Sequence, residues 1–421
     1  MHKQLLLFKV NPSLFPLHYQ AIHGNLVQVQ SCLPSDHLHL ADSFGNDPLH
    51  YAVLSNNSKK INLLVQHGAD INKKNTDGFA PLSLAIKFGM MQSVEALIKL
   101  DVDLEVRTDN EQLSIIHLAT IHHQQKILQR LLPLVSVNLL NATNYFGATP
   151  LHYAADLNLV DIALDLTFWG ASTDRLNHFG FSSVHGASIS GTKEMIFLLA
   201  GMSSTLSLPS SEGLTPLHHA INEMNHDAIN CLLHFKANPN EKTSTGATPL
   251  ELACLKNDMT AVGLLIIHHA DLSAQNEFRQ TALHVALAHT EIDSKICDML
   301  IHSSSILSQK DSNGDTALHV AARNGRFKQA CLIAAHPIKI GVKNNLNKLP
   351  SQLAFDNGYD ELGLTLQLLE IGEKLFSREK KILFSSSNYM KETISFSQKK
   401  RDKYNDIKES RERMKLIFKK K

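Results

Sequence analysis

The sequence predicts an all-α repeat solenoid, and three observations support this fold class. Nearly the same eight letters recur along the chain, as ATPLHYAA at 148–155, LTPLHHAI at 214–221 and TALHVAAR at 316–323. These copies fall in a repeat of about 33 residues, a period typical of stacked helical units. Hydrophobic residues make up 43% of the chain, which is enough for a continuous core. We expect about eleven helix-turn-helix units with β-hairpin-like fingers, followed by a basic, partly helical tail.

The Leu of PLH, or the residue in its place, serves as the anchor of each repeat. The anchors are Leu17, Leu49, Leu82, Ile116, Leu151, Val184, Leu217, Leu250, Leu283, Leu318 and Ser351. Successive anchors lie 32 to 35 residues apart. One such repeat is too thin to bury its own apolar face, so neighbouring repeats must stack against one another.

The first helix of each repeat begins just before its anchor. A side-chain acceptor two residues earlier predicts an N-cap. These caps are Asp47, Ser114, Thr149, Ser182, Thr215, Thr248, Thr281 and Thr316. Proline often follows the cap, at the N1 position where a missing N–H has no cost. An alanine three residues after the anchor, as at Ala52 and Ala154, leaves room for the neighbouring helix.

A turn precedes the first helix, and a second helix follows it. Glycines four residues before the anchor predict turns with a positive φ; they are Gly45, Gly78, Gly147, Gly180, Gly213, Gly246 and Gly314. Apolar pairs 14 to 17 residues after the anchor, such as Leu63-Leu64 and Leu232-Leu233, predict the second helix. We place an N-terminal lead at 1–14, the repeats at 15–372 and the basic tail at 373–421.

The T-P-L-H-x-A pattern at a period of 33 resembles the ankyrin-repeat family over roughly 15–372. The resemblance implies a non-enzymatic scaffold that binds a partner protein on its concave face, formed by finger tips and inner helices. It also implies a structural role for eight histidines that bond backbone near the turns. They are His18, His50, His117, His152, His185, His218, His284 and His319.

Aromatic residues at the finger tips are the candidate partner-binding residues. Phe44, Phe146, Phe179 and Phe278 lie five residues before their anchors, with Tyr145 beside Phe146. Exposed aromatic side chains are enriched among interface hot spots. The alternative is that each ring folds back over its own or the next finger.

The tail differs from the repeats in charge. Of the 41 Lys+Arg and 40 Asp+Glu in the chain, 16 and 6 lie in 374–421, so residues 374–421 carry +10 and the rest of the chain −9. The candidate targeting residues are Lys399, Lys400, Arg401, Arg411, Arg413, Lys415 and Phe418. They suit a nuclear-import signal, a basic amphipathic helix that lies on an anionic membrane or enters a partner's groove, or a solvated helix. The tail also resembles the charged secretion tails of ankyrin proteins that intracellular bacteria inject into host cells.

The sequence points away from catalysis and from bound cofactors. It contains no HExxH, CxxC, GxSxG or phosphate-binding glycine loop, so we expect no metal, no cofactor and no enzymatic activity. We expect a monomer in a reducing compartment, cytoplasm or nucleus, without signal peptide or membrane span. Two alternatives stay open: a nucleic-acid or membrane binder led by the basic tail, and an enzyme with an unrecognised site in the degenerate repeats or tail. The acidic repeats argue against broad nucleic-acid contact.

Overall fold

A computed structural model of the chain describes residues 10–33, 36–301 and 304–385. The seven tail residues named for targeting, from Lys399 to Phe418, lie outside the described residues. The chain divides into two compact units, residues 1–238 and 239–421.

Paired helices build the N-terminal unit. They are α1 Pro16–His23, α2 Leu26–Ser31, α3 Pro48–Leu54, α4 Ser58–Gln66, α5 Pro81–Lys87, α6 Met91–Lys99, α7 Ile115–Ile121, α8 Gln125–Leu131, α9 Val137–Leu140, α10 Pro150–Asp156, α11 Val160–Phe168, α12 Ser183–Ser190, α13 Lys193–Met202, α14 Pro216–Asn222 and α15 His226–His234. Short 3-10 turns occur at Asp36–Leu38 and Leu132–Leu134. First helices pack on first helices, and second helices pack on second helices.

The C-terminal unit continues the same order. Its helices are α16 Pro249–Leu255, α17 Met259–Ile267, α18 Ala282–Ala288, α19 Ser294–Leu300, α20 Ser304–Leu307, α21 Ala317–Arg323, α22 Phe327–Ala335, α23 Pro350–Asp356 and α24 Asp360–Ser385. Among the described residues, no helix has both the length and the apolar character that crossing a membrane would require.

The predicted caps and anchors are confirmed. All eight predicted cap residues occupy the N-cap position with extended backbone. The anchors from Leu17 to Leu318 are fully or almost fully buried, as are the alanines three residues later. Removing one buried leucine side chain typically costs about 2–5 kcal/mol, so each anchor is a major local source of stability.

The repeat histidines join one repeat to the next. In His117, Nδ1 accepts from the backbone N–H of Ser114 at 3.2 Å, while Nε2 bonds the carbonyl oxygen of Ala148 in the next finger at 3.0 Å. His152 makes the same pair of bonds to Thr149 (3.0 Å) and Phe181 (2.9 Å). An accepting Nδ1 and a donating Nε2 require a neutral ring. The structural role expected for these histidines is confirmed where the bonds are present.

The fingers differ from the expected hairpins. The described residues form no β-strand, and only an isolated bridge joins Arg107 to Ser114. The expectation of β-hairpin-like fingers is therefore wrong in this respect: the fingers are closed by tight turns. Gly147 adopts a φ of 75° in such a turn. A Cβ there would lie 2.9 Å from the backbone nitrogen of His178, so the next finger also requires the glycine.

In the last repeat, the polar residue at the anchor position has a buried hydrogen-bond partner. Ser351 donates from its backbone N–H and its hydroxyl to the buried Glu370 carboxylate, at 3.1 and 2.7 Å. Glu370 belongs to α24, which continues through the boundary placed at 372–373. Glu373, on the same helix, accepts from the backbone N–H groups of Ile340 and Gly341 at 2.9 and 2.8 Å.

We expect stability to fall as the solution is acidified. Burial lowers the pKa of His117 and of His185 to about 4, whereas an unfolded histidine titrates near 6.5. Between these values the unfolded chain binds more protons, so acidification favours unfolding. Each ring should remove about 2 kcal/mol from the free energy of unfolding at pH 5. Denaturant titrations at pH 7 and pH 5 measure this loss. His117→Gln should reduce the pH dependence, and equal stability at both pH values would contradict the prediction.

A second prediction concerns the turn position four residues before the anchor. In the repeat anchored at Leu283, this position holds Arg279 in place of glycine, and Arg279 still adopts a φ of 57°. Because a side chain is strained in this region, Arg279→Gly should raise the free energy of unfolding by about 0.5–1 kcal/mol. Gly147→Ala is the reverse change and should lower it by more than about 1 kcal/mol, since the new Cβ also meets the next finger. Equilibrium denaturation measures both; a destabilised Arg279→Gly would refute the account.

Candidate partner-binding surface

Each finger tip is held by a polar side chain that precedes it. The Oδ1 atom of Asn144 accepts from the backbone N–H groups of Phe146 and Ala148, at 3.0 and 2.9 Å. The Asn177 Oδ1 atom does the same for Phe179 and Phe181, at 3.0 Å each. These bonds fix the backbone that carries each tip ring.

Sequence reasoning missed this tip-holding residue. It lies seven residues before the anchor and is always a side-chain acceptor in the fingers that share this turn: Asp42, Asn75, Asn144, Asn177, Ser210, Thr243, Asn276, Asp311 and Asn344. Asn, Asp, Ser and Thr favour such turns because their side chains bond nearby backbone. Its recurrence at the repeat period was the available signal.

Backbone hydrogen bonds connect neighbouring tips in the N-terminal unit. The carbonyl oxygen of Phe146 accepts from the N–H of His178 at 2.9 Å, and that of Phe179 accepts from Ser211 at 3.0 Å. Tyr145 donates in the same way to Glu111 in the preceding finger, at 2.9 Å. The residues at the tips therefore form one ordered row, here called the finger row.

The five candidate residues are all exposed, with 44–68% of their surface accessible. Tyr145 and Phe146 contact each other edge to face, with ring centroids 5.7 Å apart. Phe179 lies in the next finger, joined to theirs by the backbone bond. Phe44 lies on an earlier finger of the same unit, and Phe278 belongs to the C-terminal unit.

The finger row of the N-terminal unit contains both aromatic and acidic residues. Five residues before successive anchors come Phe44, Asp77, Glu111, Phe146, Phe179 and Glu212. Aromatic rings provide apolar contact area at low conformational cost, and carboxylates provide charge. Such a row can bind a protein surface that presents apolar and basic side chains.

Burial shifts the pKa values of several cysteines and histidines in the repeats toward their uncharged forms. Burial raises the pKa of the Cys297 and Cys331 thiols to about 11, so both stay protonated and weakly nucleophilic at neutral pH. Burial also lowers the pKa of His152, His284 and His319. Within the described parts of the chain, no group of three or more His, Cys, Asp or Glu could hold a metal ion.

Comparison with known proteins identifies the repeats. A family profile described as "Ankyrin repeats (3 copies)" matches residues 2–75, 61–143, 82–177, 184–276 and 252–344. Similar curated proteins include the B-cell lymphoma 3 protein homolog of Mus musculus, 27% identical over 241 residues, which are 56% of this chain and 53% of that protein. The nuclear factor NF-kappa-B p105 subunit of Gallus gallus is 25% identical over 256 residues, 59% of this chain and 23% of that protein.

A third relative matches more of this chain. The transient receptor potential cation channel subfamily A member 1 of Homo sapiens is 25% identical over 418 residues, 85% of this chain and 36% of the channel. The chain thus spans about half or less of these relatives. The crystal structure of the ankyrin repeat domain of Bcl-3 is similar to 53% of this chain and 99% of that domain, with 24% identity and a TM-score of 0.48.

We expect Asn144 to control the order of its finger. Asn144→Ala removes two bonds to buried or half-buried N–H groups, so the free energy of unfolding should fall by about 1–3 kcal/mol. The amides of Phe146 and Ala148 should exchange with deuterium faster than in the unaltered protein, while amides of the α16 helix keep their rates. Unchanged exchange at both amides would show that the side chain does not hold the tip.

Proposed function

Because the chain belongs to the ankyrin-repeat family, we propose that it is a non-enzymatic scaffold that binds a partner protein through its finger row. One observation carries the proposal: exposed aromatic rings lie on neighbouring fingers whose backbones are hydrogen-bonded to each other. Tyr145, Phe146 and Phe179 form the centre of this site, and Phe44 extends it along the row. Phe278 supplies an equivalent ring in the C-terminal unit.

The physical basis of the proposal is preorganisation. A flexible loop loses conformational freedom when it binds, and that loss reduces affinity. Here the hydrogen bonds within each turn and between neighbouring tips already fix the backbone. Binding therefore removes little further conformational freedom. A few buried aromatic anchors supply most of the binding energy in typical interfaces. Acidic neighbours such as Glu111 and Glu212 would then select partners by charge.

The tail would add a targeting function, which rests on its composition alone. The net charge of +10 over residues 374–421 suits an import or secretion receptor or an anionic membrane surface. The interpretation as a bacterial effector depends on this tail and on Phe418. The curated relatives named above are vertebrate proteins and lend that interpretation no support, so we do not extend the proposal to it.

The test replaces the central rings of the finger row. In the full-length protein, Phe146→Ala with Phe179→Ala should weaken capture of a partner at least about tenfold, because two hot-spot side chains are lost. The partner is first identified by placing a photo-crosslinking amino acid at position 146 and sequencing the joined polypeptide. Affinity for that polypeptide is then measured by calorimetry.

The matched control is Met259→Ala, which removes an exposed apolar side chain outside the fingers. It should leave the affinity unchanged, and all variants should keep the melting temperature of the unaltered protein. If the double substitution binds the crosslinked partner with the original affinity, the finger row is not the binding site.

A further inference from the structure

A second exposed apolar surface lies on the second helices of the N-terminal unit. Leu164 and Phe168 on α11 are 53% and 80% exposed, and Phe197 and Met202 on α13 are 54% and 51% exposed. Trp169, directly after α11, is 42% exposed. Exposed apolar clusters of this kind mark interaction sites, whereas scattered apolar residues do not.

The repeat aligns these side chains into rows. Leu164 and Phe197 lie 33 residues apart, as do Trp169, Met202 and Phe235. Helix α11 packs on α13, and α13 packs on α15, so equivalent positions are neighbours in space. The rings of Phe197 and Phe235 contact each other edge to face, with centroids 4.9 Å apart. We call Leu164, Phe168, Trp169, Phe197, Met202 and Phe235 the second-helix patch.

An acidic row borders the second-helix patch. Asp161, Glu194 and Asp227 are exposed and again lie 33 residues apart, in the first turns of α11, α13 and α15. Acidic residues also favour helix N-termini through the helix dipole. That preference alone does not account for the row, because three other repeats hold Lys59, Lys126 and Lys328 at the equivalent position, although the last repeat holds Glu361. The acidic row therefore accompanies the apolar patch.

Other charges near the patch offset the row in part, since Lys126 and Arg130 are exposed on α8, which packs on α11. Lys193 lies beside Glu194, and Lys236 follows Phe235. Asp165, also on α11, accepts from the side-chain amides of Gln125 and Gln129 at 3.2 and 3.0 Å. On these three second helices and the residues that end them, the four carboxylates outnumber the two lysines, so the surface is apolar with a negative edge.

We propose that the second-helix patch docks a basic amphipathic helix of a partner protein. Such a helix presents apolar residues at positions i, i+3, i+4 and i+7, which would lie on the rings, and its Lys or Arg residues would lie against the acidic row. A second copy of this chain fits less well, because it would bring a second acidic row to the same interface. This surface belongs to the second helices, so it is separate from the finger row.

Trp169 provides a direct measurement, since it is the sole tryptophan of the chain. The probe is a synthetic peptide of about 18 residues, five helical turns, with Leu and Lys at an amphipathic period. Titrated into the full-length protein, it should shift the Trp169 emission to shorter wavelength and saturate. Raised salt should weaken the interaction by screening the acidic row. A peptide with Glu in place of Lys should bind at least about tenfold more weakly.

Two sets of substitutions locate the site. Phe168→Ser with Phe197→Ser should weaken binding of the Leu/Lys peptide at least about tenfold, and so should reversal of the acidic row by Asp161→Lys, Glu194→Lys and Asp227→Lys. The matched control is Ile267→Ser, because Ile267 is exposed at the position equivalent to Phe168 in a repeat without the acidic row. It should leave binding unchanged, and circular dichroism should show the same helix content in every variant.

Several outcomes would overturn the proposal. Equal binding of the Glu peptide and the Lys peptide, or full binding after the charge reversal, would show that the acidic row does not favour basic helices. Emission that shifts with protein concentration in the absence of peptide would show that a second copy covers the patch. The basic tail of the same chain would cover the patch if two results occurred together. The Trp169 emission of the free, dilute protein would move to longer wavelength at high salt, and the peptide would cause no change.

Discussion

The hydrogen bonds of the repeat histidine are the interaction on which the rest of this structure depends. Most of these rings bond both the cap of their own first helix and a carbonyl of the next finger, as His117 does between Ser114 and Ala148. One side chain thus fixes the start of a helix and the position of the neighbouring repeat. At His117 these bonds require a neutral imidazole, and burial keeps that ring neutral by lowering its pKa. Cohesion between these repeats is therefore coupled to histidine titration.

The placement of the finger row follows from the same linkage. Once the cap and the carbonyl are joined, each finger must turn sharply, and the tip residue projects beyond the turn. The side-chain acceptor seven residues before the anchor and the backbone bonds between tips complete the constraint. The tip side chain makes no contribution to the turn itself, so its identity is free to vary. In this chain it is aromatic at Phe146 and Phe179 but acidic at Glu111 and Glu212, which is how a common scaffold acquires an individual binding surface.

Two surfaces of the N-terminal unit therefore differ in their chemistry. The finger row presents rings on turns, with carboxylates interspersed along one line. The second-helix patch presents rings on helices, with its carboxylates gathered along one edge. Both arise because stacking places residues one period apart next to each other, so a side chain repeated at that spacing becomes a continuous row. A protein built this way can bind different partners on its two surfaces without altering its core.

The sequence by itself determined the repeat period, the helix caps, the buried anchors and the positive-φ glycines, because each follows from local backbone chemistry repeated in register. It also gave the positions of the candidate rings, but not their exposure. Only the tertiary structure decided that Phe146 and Phe179 are exposed and joined through backbone bonds, and that closed turns replace hairpin strands. It also decided that Leu164, Trp169 and Phe197 form one patch, and that Ser351 is satisfied by Glu370 from the last helix. These features depend on contacts between repeats. The repeat period in the sequence shows which residues become neighbours, but it does not show which atoms remain exposed to solvent.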